Sequence, residues 1–207
     1  TLMACLSLVG AAAAQPPKDA KPGHAEPAAQ PPLPPGMSEA DMKACMDAAT
    51  PGPEHAQLAK SVGTWAGKNK MWMTPDAPVT ESECTATVTP IMDGRYVKIE
   101  SAGDMGGMPF TGLGINGFDN VSKKYVSTWI DNCGTGIMTG TGSLSSDAKT
   151  MTWNLTYNCP IQKRPITMRQ VEHYTSPDTM TLEMFGPDPK TGKEFRMMEI
   201  KYTRTGG

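Results

Sequence analysis

The side chains that could do chemistry here are five cysteines, sixteen methionines, three histidines and a scatter of carboxylates and arginines. Cys5 sits in an apolar opening stretch, which leaves Cys45, Cys84, Cys133 and Cys159, an even number. In an exported chain that number points to two disulfides, and four cysteines allow three pairings. The expected strand order puts Cys133 and Cys159 at the ends of two strands that share a rim, leaving Cys45 to join Cys84. Four structural thiols are the alternative. No pair has the Cys-x-x-Cys spacing of a zinc ribbon or a redox dithiol.

Thioethers are soft ligands that survive oxidising surroundings, so the methionines invite a copper(I) or silver reading, with Met71 and Met73, Met105 and Met108, and Met197 and Met198 as candidate pairs. The pairs are scattered and no His or Cys stands beside them at ligand spacing. Methionine that lines an adaptable apolar cavity or fills gaps in a core explains them more simply, and no metal or other cofactor is assigned. Asp131, Glu183 and Glu199 with Arg95 and Arg169 could converge as a polar cluster inside a barrel, where Asp131 and Arg169 would orient a ligand or serve an enzyme. Ordinary ion pairs or exposed strand faces are the alternative.

Other chemistries find no support. The sequence has no nucleophile elbow, no HExxH, no Walker glycines and no dinucleotide fingerprint. Gly103-Asp104-Met105-Gly106-Gly107 lacks a strand-turn-helix context and reads as a hairpin loop. Nineteen basic against twenty-one acidic residues, with no basic run, leave no footprint for nucleic acid or for a polybasic membrane contact.

These residues need elements to position them. Residues 1–14 read as the remnant of a secretory signal, an apolar run too short to span a bilayer that ends in small residues, with cleavage near Ala14. A lipidated Cys5 fits poorly, because the apolar run continues past it. The expected compartment is therefore periplasmic or extracellular. Residues 15–37, rich in Pro, Ala, Gln and Lys, bury too little to fold and form a tether, with His24 inert within it. Residues 38–61 hold two short helices. Ser38 caps the first, which is stopped at Pro51-Gly52-Pro53, and the second starts at Pro53 and is anchored by His55.

From residue 62 to 205 the chain alternates. Ten strand-like runs are separated by turn chemistry such as Met92-Asp93-Gly94, Asp119-Asn120, Ser176-Pro177-Asp178 and Asp188-Pro189-Lys190-Thr191-Gly192. Links this short make neighbours antiparallel, and ten meandering strands leave an exposed edge unless the sheet curls shut. On one strand Tyr125, Ser127, Trp129 and Asp131 share a face, and on another Met151, Trp153, Leu155 and Tyr157 do. Many strands carry something apolar on both faces, so which face points inward stays open.

Four stretches taken together resemble one bacterial family. They are Pro51-Gly52-Pro53-Glu54-His55 leading to Gly63-Thr64-Trp65; Met105-Gly106-Gly107-Met108-Pro109-Phe110 followed by Gly117-Phe118-Asp119; Tyr125-Val126-Ser127-Thr128-Trp129-Ile130-Asp131; and Gly192-Lys193-Glu194-Phe195 with Met197-Met198-Glu199. The family is domain of unknown function fifteen-seventy-nine, and the similarity runs from about Met37 to Arg204. It implies a secreted, lipocalin-like barrel without an established activity. The cysteines depart from that family's pattern. The opening Gly-x-Trp also resembles that of calycin-type barrels, in which the indole plugs the floor, and of nitrobindin-like barrels, in which an inward histidine, here His173, would hold a haem. No second motif of those haem proteins is present.

The sequence thus predicts an all-β chain: an up-and-down antiparallel lipocalin-like barrel of about ten strands with short N-terminal helices. Its expected partner is a small, largely apolar or amphiphilic molecule held in the cavity, with Trp72, Tyr125 and Trp129 as walls and Asp131 and Arg169 as polar guides. A methionine-rich soft-metal binder is the second reading and an enzyme built on the polar cluster the third.

Overall fold

The computed structural model describes residues 33–207; the expected signal and nearly all of the expected tether lie outside the described residues. The described residues divide after Thr50 into two units, the second being Pro51–Gly207. In the first, helix α1 (Glu39–Ala49) starts at Ser38, whose hydroxyl accepts from the Asp41 N–H while the Asp41 carboxylate accepts from the Ser38 N–H. This reciprocal cap satisfies two donors that a helix start leaves open.

The second unit holds helix α2 (Pro53–Ala59) and ten strands: β1 Gly63–Met71, β2 Thr80–Ile91, β3 Tyr96–Asp104, β4 Pro109–Asp119, β5 Lys124–Asp131, β6 Met138–Leu144, β7 Thr150–Cys159, β8 Arg164–Ser176, β9 Thr179–Pro187 and β10 Glu194–Gly206. Each strand pairs antiparallel with its neighbours in sequence, and β1 pairs with β10 from Thr64 opposite Gly206 to Met71 opposite Met198. The sheet is a closed barrel. Closure gives every strand two partners and removes the edges that the alternating sequence would otherwise expose. In the link between β2 and β3 the backbone supplies the turn: Met92, Asp93 and Gly94 all have positive φ.

One end is floored. The Gly52 N–H donates to His55 Nδ1 (2.9 Å), which fixes the start of α2 and turns the imidazole edge-on to Phe118. Phe118 meets Tyr125 edge to face at 5.0 Å, and Tyr125 meets Trp153 at 6.3 Å. With Leu58, Trp65, Val88 and Val97 these form the dry core, in which Trp65 is 2% exposed and Trp153 1%. The indole N–H of Trp65 donates to Ser61 O (2.9 Å), so α2 and β1 are tied through the plugging tryptophan.

A second tie holds the floor from outside. The Arg204 guanidinium lies over the Trp65 ring at 4.1 Å and donates to Val62 O, to Lys60 O (2.9 Å), to Pro177 O (2.9 Å) and to Asp178 Oδ1 (3.2 Å). One planar fork thereby joins the end of β10 to the exit of α2 and to the β8–β9 turn. A lysine has neither the fork nor the flat face to do this. Arg204→Ala is expected to lower stability in urea by about 2–4 kcal/mol, and Arg204→Lys to recover less than half of the loss. A loss within about 0.5 kcal/mol for Arg204→Ala would show that closure does not need the latch.

Candidate ligand cavity

Above the floor the barrel is hollow. The cavity measures about 340 Å³ and its lining runs from Leu58 and Trp65 up to Met105, Phe110 and Trp129 at the opposite rim. That volume lies at the lower end of the range that small-molecule sites occupy. Strand alternation sets the lining: Asn69 and Met71 from β1, Ser82 and Cys84 from β2, Met168, Gln170, Glu172 and Tyr174 from β8, and Met198, Ile200 and Tyr202 from β10. Eight of the sixteen methionines face it. Unbranched thioethers suit a wall that must adapt to its guest.

The hollow also depends on missing side chains. A Cβ on Gly67 would stand 2.6 Å from Cys84 Sγ and 2.7 Å from the Tyr202 ring, so only glycine lets those two meet, Sγ to Oη at 3.8 Å. At the rim a Cβ on Gly112 would lie 2.2 Å from the Trp129 ring, which rests there nearly parallel to Phe110.

The polar groups inside are few. The Glu172 carboxylate accepts from Trp153 Nε1 (3.0 Å) and Gln170 Nε2 (2.8 Å), both on Oε1. Burial pushes its titration above the ordinary carboxylate range, and the two N–H donors offset part of that rise. The Tyr174 and Tyr202 phenols are pushed well up, first by burial; Glu172 adds to the rise at Tyr174, and Cys84, ahead of Glu172, at Tyr202. Burial likewise raises the Cys84 thiol, and its hydrogen bond with Tyr202 offsets part of that rise. Asn69 Nδ2 donates to Ser82 Oγ (3.2 Å), whereas Asn69 Oδ1 is buried and, among the described residues, accepts from nothing. At the mouth Asp131 accepts from Trp129 Nε1 and from the Cys133 N–H, both at 2.9 Å.

Of the five residues expected to form the site, Trp129 and Asp131 line the cavity and three do not. Tyr125 is on the expected face but at the floor, where it is core. Trp72 follows the end of β1, donates its N–H to Met197 O and packs under the Arg196 guanidinium. Arg169 is one residue out of phase with the inward Met168 and Gln170; it stacks on Phe185 at 4.0 Å and pairs with Glu194 at 2.7 Å. Glu183 and Glu199 are likewise held by Arg196, each at 2.7 Å, and Arg95 pairs with Asp93. The polar cluster is therefore divided between the rim and the outer face. Its inner acid is Glu172, on the same strand phase as Met168.

His173, next along β8, contacts Thr150 Oγ1 at 3.0 Å and is absent from the lining. The methionine pairs are also split. Met71, Met105 and Met198 line the cavity, whereas Met73, past the end of β1, and Met108, in the β3–β4 link, are exposed, and Met197, next to Met198 on β10, lies outside the lining.

Cys84, Cys133 and Cys159 are thiols in the structure rather than halves of the expected bridges. Cys133 sits in the exposed loop after β5, with its Sγ 3.9 Å from Met105 Sδ, and Cys159 is buried at the end of β7. Strand β6 runs between β5 and β7, so the strand ends that lead to the two are about 10 Å apart across the sheet. Cys45 is on α1, in the other compact unit from Cys84.

A closed ten-stranded antiparallel barrel, floored by a helix and hollow above, is of the lipocalin-like class. Residues 50–204 match the family described as Protein of unknown function (DUF1579), and the chain belongs to that family. Solved structures of the same fold include Rv2717c from M. tuberculosis, at 14% identity, TM-score 0.56, covering 75% of this chain and 99% of that one. They also include the S-type phycobiliprotein lyase CPES from Guillardia theta, at 10% identity, TM-score 0.51, covering 79% and 97%. No curated protein sequence matches the chain significantly.

The Glu172 carboxyl fixes a direction for stability against pH. A folded acid that titrates above its unfolded value contributes fully below the unfolded value, about 4.3, and that contribution fades as pH rises through the folded one. Glu172→Gln keeps an acceptor for both N–H donors and has no proton to lose. Its melting temperature is expected to match the wild type near about pH 4 and to exceed it by about 2–4 °C near about pH 8. Calorimetry at both pH values checks this, and a variant less stable than the wild type at about pH 8 would contradict it.

Proposed function

We propose that this protein binds a small, largely apolar molecule inside the barrel, and that binding rather than turnover is its activity. The observation that carries the reading is the cavity itself: about 340 Å³, walled by methionines and aromatic rings, with a handful of directed polar groups. The fold shared with a phycobiliprotein lyase supports it only as an analogy of architecture. The mechanism is desolvation of an apolar body against side chains that adapt, with orientation set by Glu172, Asn69 and the Trp129–Asp131 pair at the mouth. Export, read from residues 1–14, would place this binding outside the cytoplasm.

The soft-metal reading keeps one feature in its favour. Met71, Met198 and Met184 stand directly opposite one another on β1, β10 and β9, and all three face the cavity.

Native mass spectrometry of protein purified from its own host distinguishes the two. An organic adduct is expected, displaced in Ser127→Trp, where a large ring fills the cavity from a small lining position. A filled variant that keeps the adduct would move the guest elsewhere, and stoichiometric copper lost in Met198→Leu would replace the small-molecule reading with the metal one.

A further inference from the structure

Among the described residues, no lysine, arginine or histidine lines the cavity, while Asp104, Asp131 and Glu172 do. The arginines of the upper barrel are spent on the outer face: Arg169 on Glu194, and Arg196 on Glu183 and Glu199. Glu172 therefore has hydrogen-bond donors but no cation opposite it. On the same tier of the sheet, reached by the register Glu172–Leu182–Ile200–Asn69, stands the unpartnered acceptor Asn69 Oδ1, on a side chain 9% exposed. An acceptor left without a donor and a carboxyl group left without a cation face one hollow. A buried acceptor without a donor carries a desolvation cost that only a donor can cancel.

Resting on the ligand-binding reading above, we propose that the guest carries a protonated amine on an apolar body, and that Glu172 is the residue that selects it. The ammonium supplies both the N–H donors and the positive charge that the lining lacks, so guest and carboxylate form a hydrogen-bonded ion pair in a dry site. Trp153, Tyr174 and Tyr202 also line this hollow, and aromatic rings in a lining favour a cation over an anion. Asp104 and Asp131 at the mouth draw a cation in and repel an anion. A carboxylate-headed lipid would meet three acids and no base.

The test is isothermal titration of the full chain with three amphiphiles of one chain length, dodecylamine, dodecanol and dodecanoic acid, at about pH 8. The amine is expected to bind more than about tenfold tighter than the acid, with the alcohol between them. Glu172→Gln should weaken the amine by about tenfold and leave the alcohol within about twofold. Glu183→Gln, on the outer face, should change none of the three.

The wild type provides an arm that needs no variant. Amine affinity should climb with pH above the ordinary carboxylate range, as Glu172 gives up its proton. The other titratable groups that face the cavity are the Cys84 thiol and the Tyr174 and Tyr202 phenols, each held up by burial, with Asp104 and Asp131 at the mouth. Equal binding of all three amphiphiles, or tightest binding of the acid, overturns the amine proposal while leaving a small-molecule binder. No binding of any of them, together with no organic adduct in the native protein, overturns both.

Discussion

The contact on which the rest depends is the pairing of β1 with β10. It turns a meander into a cylinder, and only in a cylinder does one face of every strand become an interior. The nine other strand pairings would exist in an open sheet as well, but the inward set would then lie on an exposed face with β1 and β10 as free edges. Arg204 explains why the ring stays shut at its lower end. It comes from the last strand, yet its partners are Lys60 and Val62 before the first strand and Pro177 and Asp178 in the β8–β9 turn. The cation is half of the latch. The other half is the Trp65 ring beneath it, which fills the floor and offers a flat face to the guanidinium.

Closure alone would give either a packed core or a hollow, and side-chain size decides which at each height. At the floor the inward positions hold Trp65, Tyr125 and Trp153, with His55 and Leu58 brought in by α2, and the space is full. Higher up the lining mixes small residues, such as Ser82, Ser101 and Ser127, with methionines that can fold against the wall. Rigid rings below and thioethers above divide the same cylinder into a foundation and a container. Substituting branched residues for those methionines would turn an adaptable wall into a fixed one.

The strands were legible because period two and turn chemistry agree along the whole length of residues 62–205. Closure followed from short links and the cost of an edge. Which residues meet in the site was much less legible, for three separable reasons. Alternation gives a residue's face but not its height, so Tyr125 and Trp129 share a face while one is core and the other rim. Phase is ambiguous where both faces of a strand carry apolar or long side chains; β8 offers Met168 with Glu172 on one face and Arg169 with His173 on the other, and reading the arginine or the histidine inward discards the acid. The end of a strand breaks the count altogether, which is how Trp72 left the site. For the cysteines, a shared rim was the correct inference for Cys133 and Cys159, and the intervening β6 is what a rim argument leaves out. The signal that could have found Glu172 was present: it is the one acid in phase with a run of inward methionine, glutamine and tyrosine.

The distribution of charge completes the physical picture. On the outer face the long ionic side chains are paired in solvent, where each pair contributes little and can be exchanged at small cost. Inside, a single carboxyl group sits among apolar walls with two N–H donors on one oxygen, an arrangement that lowers its desolvation cost without removing it. A fold tolerates such a group when most of its stability comes from elsewhere, and here it comes from the closed ladder and the Arg204 latch, while the aromatic floor reaches the group through the Trp153 N–H. Apart from that hydrogen bond the framework and the interior polar groups are separable, which lets the lining change while the cylinder stays the same. That separation is the physical basis on which one barrel architecture can carry different interiors in proteins that share little more than a tenth of their sequence.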